Sequence, residues 1–142
     1  MNQELNGRSF AFELLSASGK VTDRLEAALE PLGLSLAKLG ALSKLVDADG
    51  SLPLSTLAER CACVRSNITQ LVDRLEADGL VARSDDPRDR RSIRAELTEE
   101  GRRRQAAGVR AVERTERDLL AHLPRDRQDS LVDLLRSLHL AR

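Results

Sequence analysis

Arg88, Arg90, Arg91 and Arg94 stand within one short stretch, just downstream of a segment that carries Arg65, Ser66, Asn67, Thr69, Gln70 and Arg74. These residue types do not make or break bonds. They are hydrogen-bond donors and acceptors of fixed shape. A guanidinium forks onto phosphate oxygens or a guanine edge, an Asn or Gln amide pairs with an adenine edge, and Ser or Thr reaches either. Their chemistry is recognition of a polyanion with readable edges, which is double-stranded DNA.

The elements that would position them can be read from apolar spacing. Val64, Ile68, Leu71, Val72 and Leu75 form one helical stripe. At about 100° per residue, that stripe turns Ser66, Gln70 and Asp73 outward, flanked by Asn67, Thr69 and Arg74, with Arg65 nearer the edge. By itself such a face reads as a solvated surface. The downstream segment changes that reading. Asp78-Gly79 stops the helix, Leu80–Arg83 reads as a strand, and Ser92–Leu97 alternates as a half-buried strand does. Between them, Asp85–Asp89 is rich in turn formers. An arginine-rich turn between two strands, directly after a polar-faced helix, is the order of a winged helix-turn-helix.

Within that unit, Arg88 at the turn tip is the candidate for insertion into a minor groove, where narrow A·T tracts attract arginine. Arg90 is the candidate phosphate contact. Asp89 and Arg91 are read as a charge pair that stabilises the wing. Asp73 is awkward, because its carboxylate repels a phosphate unless it pairs with Arg74 or accepts from a cytosine amine.

Upstream, Phe10, Leu14, Val21, Leu25, Ala28, Leu29 and Leu32 predict a long amphipathic helix ending near Pro31-Leu32-Gly33. Leu36 to Val46 predict a second, closed by Asp47-Ala48-Asp49-Gly50, and Leu54 to Cys61 a short third, with Ala62-Cys63 as the turn before the recognition helix. Downstream, Thr98 is a plausible N-cap for a fifth helix, and Pro124 starts a sixth whose stripe is Leu131, Leu134, Leu135 and Leu138. The apolar faces of the first, fifth and sixth helices exceed what one small winged helix needs to cover. A homodimer about a two-fold axis is the economical use of that surface.

The 142 residues suit one domain, with a lobe over residues 51–100 that binds DNA and dimerisation helices over 1–34 and 101–142. Formal net charge is zero, so charge distribution matters more than total. Residues 60–104 carry eleven basic and nine acidic side chains, against five and eight in residues 1–59. The N-terminus has no signal pattern and no run is long enough to span a bilayer, so a cytoplasmic protein with no membrane role is expected. No glycine-rich phosphate loop, nucleophile–base pair or metal cluster stands out. No enzyme activity, cofactor or metal is expected.

The stretch LAERCACVRSNITQLVDRLEADGLVARSDDPRDRRSIRAELTEEG resembles the DNA-binding core of the MarR family of bacterial transcriptional regulators. The most specific parts are the wing DPRDRR, followed by a strand and LTEEG, and the helix ending VDRLEADGLV. The flanking helices match the family's order. The resemblance implies a mostly α-helical winged-helix homodimer with a small β-wing, acting as a repressor on a pseudo-palindromic operator. It also implies release by a small-molecule effector that binds between the dimerisation helices and the DNA-binding lobes, or by thiol oxidation.

One departure from the family pattern bears on mechanism. Cys61, Ala62, Cys63 and Val64 stand where the family reads like Leu-Gly-Val-Ser. The Cys-x-Cys pair invites a redox or metal-responsive reading, since a change there would tilt the recognition helix. Filling the core is the plainer reading, because buried cysteine behaves as a small hydrophobe and two cysteines are too few to hold a metal. His122 and His139 each sit near a helix end and read as surface or helix-dipole residues. A function of another class, a winged helix that binds a protein partner, is the alternative to DNA binding.

Overall fold

The protein is described by a computed structural model covering residues 9–61 and 65–140. The proposed turn at Ala62-Cys63, the start of the recognition stripe at Val64, and the chain before Ser9 lie outside the described residues. In chain order the elements are α1 (Phe10–Leu29), a 3-10 turn (Glu30–Leu32), α2 (Leu36–Asp47), β1 (Ser51–Pro53), α3 (Leu54–Arg60), α4 (Arg65–Ala77), β2 (Val81–Asp86), β3 (Asp89–Leu97), α5 (Glu99–Leu120) and α6 (Arg125–Arg136). No described helix is long and apolar enough to cross a membrane.

The boundaries of α2, α4 and α5 have local causes. Ser35 caps α2 by accepting from the Lys38 amide at 3.1 Å, and the Glu26 carboxylate reaches from α1 to accept from the Leu36 amide at 2.5 Å. α4 ends as its sequence predicts. Gly79 adopts φ 76°, its amide donates to the Glu76 carbonyl at 3.0 Å, and the Leu80 amide donates to the Leu75 carbonyl at 2.9 Å. That paired closure needs a left-handed residue, which glycine supplies without steric cost. Thr98 is the N-cap of α5, accepting from the Gly101 amide at 2.9 Å while its hydroxyl donates to the Gly79 carbonyl at 2.7 Å. One side chain therefore ties the end of α4 to the start of α5.

The sheet is antiparallel with order β1-β3-β2, and Leu52 lies opposite Ala95. β1 is absent from the sequence reading, since three residues ending in proline carry no alternation to detect. The wing strands also run further toward the tip than Leu80–Arg83 and Ser92–Leu97. Asp85, Asp86 and Asp89, expected in the turn, lie in strands, and Pro87-Arg88 alone makes the turn. The first helix ends at Leu29, and a 3-10 turn carries the chain to Gly33.

The core gathers Leu42 and Leu45 of α2, Leu57 of α3, Ile68, Val72 and Leu75 of α4, and Leu80, all fully buried. α5 closes over it through two small residues. A Cβ on Gly108 would meet Leu34 and Leu39 at 2.9 and 2.8 Å, and one on Gly101 would collide with the Leu80 carbonyl oxygen. Gly40 of α2, by contrast, faces open space. Gly101→Ala should therefore cost about 1–3 kcal/mol through forced repacking, and Gly40→Ala should add about 0.5–1 kcal/mol through helix propensity. Urea unfolding followed by circular dichroism would separate the two, and equal midpoints would contradict this account of the α5 junction.

Candidate nucleic-acid interface

The buried stripe of α4 decides what the helix presents. With Ile68, Val72 and Leu75 inward, Asn67, Thr69, Gln70, Asp73 and Arg74 are exposed. Arg65 and Ser66 are placed by their backbone in the first turn of the same helix. Beside this face rises the wing, so the structure brings the exposed α4 positions and the arginine-rich turn onto one lobe.

The wing tip is held by carboxylates acting on backbone. Asp86 accepts from the Arg88 amide at 2.9 Å, and Asp89 accepts from the Arg91 amide at 3.0 Å. Such short-range acceptance explains why aspartates, poor strand formers, stand in the strands here. It also revises the expected Asp89–Arg91 charge pair. Asp89 engages the main chain of Arg91 and not its guanidinium. The pairing register slips between Asp85 and Asp86, so Arg90, Arg91 and Ser92 bulge from the regular ladder.

Arg94, an arginine left without a role by sequence reasoning, acts as the brace. Its Nε donates to Ser51 Oγ of β1 at 2.9 Å, and its NH1 lies 3.5 Å from Asp86 Oδ2. Asp86 thus links the turn backbone, β3 and β1. The spacing of Arg94 hid this, because in sequence it belongs to the same basic run as Arg88, Arg90 and Arg91.

Asp73 finds a partner that neither sequence alternative foresaw. The Arg83 guanidinium, reaching from β2, bonds Asp73 Oδ1 through NH2 and Glu76 Oε1 through NH1 at 3.2 Å. The partner is not Arg74. Among the described residues, the arginines of α4 and the wing therefore fall into two sets. Arg83 and Arg94 are neutralised inside it, whereas Arg74, Arg88, Arg90 and Arg91 are exposed and form no ion pair among the described residues. Free cations on one face beside amide and hydroxyl side chains suit a phosphate-lined surface with base edges between.

The two candidate sensor cysteines separate. Cys61 follows α3 as its C-cap, half-buried, with its amide donating to the Leu57 carbonyl at 2.9 Å, and it packs against the core. Cys63 lies outside the described residues. No group of three or more His, Cys, Asp or Glu with metal-binding geometry occurs among the described residues. His122 and His139 are exposed.

The MarR family model matches residues 34–93. The fold superposes on the transcriptional repressor CouR bound to a 23-mer DNA duplex, with a TM-score of 0.83 and 28% identity, covering 96% of this chain and 98% of that one. Residues 34–93 form a MarR-family domain. CouR from Rhodococcus jostii RHA1 bound to p-coumaroyl-CoA gives a TM-score of 0.78 at 26% identity, over 96% and 94% of the two chains. Among curated proteins, the repressor MdtR of Bacillus subtilis is 38% identical over 58% of this chain and 52% of its own length. The activatory protein BadR of Rhodopseudomonas palustris is 38% identical over 70% of this chain and 57% of its own. The chain thus spans about half the length of the curated relatives it matches.

In this MarR-family lobe the Asp86 carboxylate is the keystone of the wing. Asp86→Ala removes the charge-assisted bond to the Arg88 amide, worth about 1.5 kcal/mol, together with the longer contact to Arg94. Amide hydrogen exchange across residues 87–91 should speed up about tenfold or more, while exchange in α4 stays unchanged. Unaltered exchange in the turn would mean that something other than Asp86 holds it.

Proposed function

We propose that this chain is a DNA-binding transcriptional regulator, a repressor that grips a pseudo-palindromic operator as a homodimer. The observation that carries the reading is the shared lobe of α4 and wing. It sets the exposed Asn67, Thr69, Gln70 and Arg74 beside Arg88, Arg90 and Arg91, whose guanidiniums have no carboxylate partner among the described residues. α4 enters the major groove, where Gln70 and Asn67 read base edges, with Arg65, Ser66, Thr69 and Arg74 as further contacts. The wing follows the backbone into the neighbouring minor groove with Arg88 at its tip and Arg90 on a phosphate. The CouR–DNA complex, at 28% identity over nearly the whole chain, and the repressor MdtR support this assignment. Work on an operator assigns the protein to the bacterial cytoplasm and to no catalytic role.

The dimer follows from what one chain leaves uncovered. α1 exposes Phe10, Phe12 and Leu15, and α6 exposes Leu131, Val132, Leu134 and Leu135. α6 has no buried residue and is tied back by Gln128, whose amide donates to the Leu120 and Leu123 carbonyls at 3.0 Å each. A two-fold partner laid on α1, α5 and α6 covers these side chains and sets the two α4 helices about one DNA turn apart, roughly 10 bp. A small-molecule effector, for which CouR with p-coumaroyl-CoA is the supporting precedent, changes that spacing and releases the operator.

Three measurements test the reading. Arg88→Ala should weaken operator binding and lower the slope of log K against log salt by about 0.9. Gln70→Ala should change which duplexes are preferred more than it changes affinity for random DNA. If both affinities fall equally, Gln70 reads no base. Leu134→Asp, measured by sedimentation, should shift the protein toward monomer and abolish selective binding. An intact dimer would remove α6 from the interface.

A further inference from the structure

Among the described arginines of the DNA-facing lobe, Arg83 alone bonds two carboxylates. Its guanidinium bonds Asp73 and Glu76, its NH2 donates to the Thr69 carbonyl at 3.4 Å, and its own amide donates to Glu76 Oε2 at 3.1 Å. The three α4 partners are spaced four and three apart, so they lie in one line along the helix. That line flanks Gln70. The latch thus fixes how β2, and with it the wing, is set against the base-reading face.

The charge arithmetic exceeds what a brace needs. One cation meets two carboxylates, leaving a net negative charge beside the groove-facing surface. The exposures are also inverted from those of a phosphate contact. The Arg83 side chain is 25% exposed, while Asp73 and Glu76 are 57% and 43% exposed. Solvent, and any duplex docked on this lobe, meets the carboxylates before the cation. Binding to random DNA is driven almost entirely by phosphate neutralisation. A repulsive element penalises a shifted docking in which a phosphate falls on that line, and spares the register in which it lies over the groove.

We propose that Arg83 is a specificity-determining positioning residue, a cation held off the phosphates by Asp73 and Glu76 so that the lobe discriminates its operator from random duplex. This inference rests on the DNA-binding reading above. It assigns Asp73, which looks unfavourable beside DNA, a positive role. It also separates Arg83 from the contacting set of Arg74, Arg88 and Arg90.

The test uses the full-length protein, a duplex that wild type selects from a randomised pool, and a scrambled duplex of the same length, with affinities measured across a salt series. Asp73→Asn combined with Glu76→Gln should release Arg83 to a phosphate. Affinity for the scrambled duplex should then rise by up to about eightfold at 0.1 M salt, its salt slope should steepen by about 0.9, and the selectivity ratio should fall. Adding Arg83→Gln to the double variant should reverse most of the slope change. An equal gain with and without Arg83 would mean that lost repulsion alone is at work, which overturns the masked-cation role. An unchanged scrambled-duplex slope with a lowered melting temperature would make the latch a brace only. Should the double variant fail to fold, Glu76→Gln alone, with Asp73 still bonded, must show a smaller gain in the same direction, and no gain overturns the proposal. Wild type that selects no duplex at all would remove the DNA-binding reading itself. Wild type that selects one while the double variant gains nothing overturns this inference alone.

Discussion

The burial of Ile68, Val72 and Leu75 is the constraint from which the lobe's surface follows. All three are fully buried, against α2, α3 and β2. Full burial of such side chains is worth about 1.5–3 kcal/mol each, so turning α4 by one residue would forfeit much of the lobe's stability. That fixed azimuth leaves Gln70 and Asn67 no freedom to face inward. It also makes the exposed face a consequence of the core. The same packing sets the end of α4, where Gly79 turns the chain so that Leu80 falls into the core and β2 begins. Thr98 then returns to the Gly79 carbonyl, joining α4, wing and α5 in one corner.

On that corner, charge is sorted by partner and not by sequence. The chain is neutral overall, which by composition argues against a nucleic-acid ligand. The structure resolves the conflict locally. Carboxylates are spent on backbone amides at Asp86 and Asp89 and on guanidiniums at Asp73, Glu76 and Asp86, all within the lobe. Asp86 and Asp89, bonded to the wing backbone, do not cancel the outward cations at contact range, even though they cancel them in the sum. Since electrostatics between exposed charges fades over about 8–10 Å in physiological salt, which cation touches the ligand matters more than the total.

Much of this was legible in the chain, for reasons that can be named. The stripe on α4, the glycine stop at Gly79 and the Thr98 cap are short-range patterns whose physics acts within a few residues, and each predicted its element. The wing was legible as a turn between strands, but its extent was not, because Asp85, Asp86 and Asp89 satisfy backbone amides in a way that strand propensity does not record. β1 was too short to carry a period. The division of the arginines was invisible for a different reason. Arg83 and Arg94 find their partners across 7–10 and 8–43 residues, and no local spacing encodes such pairings. In sequence Arg91 reads as a shape-holding charge, whereas its amide holds the shape and its guanidinium is left exposed.

The helices outside the lobe obey a converse logic. α5 approaches the body so closely that Gly101 and Gly108 have no room for a Cβ, whereas α6 and the first half of α1 leave large apolar side chains in water. A single chain that packs one side to contact and leaves the other bare has two kinds of surface under different demands. The tight side transmits position, because α5 starts at the Thr98 corner and any shift along it moves the wing and α4 together. The bare side is the surface that the proposed two-fold partner would cover. A device that must change the distance between two reading heads needs this combination, a stiff lever fixed to each head and a seam between the levers where a small repacking changes their angle.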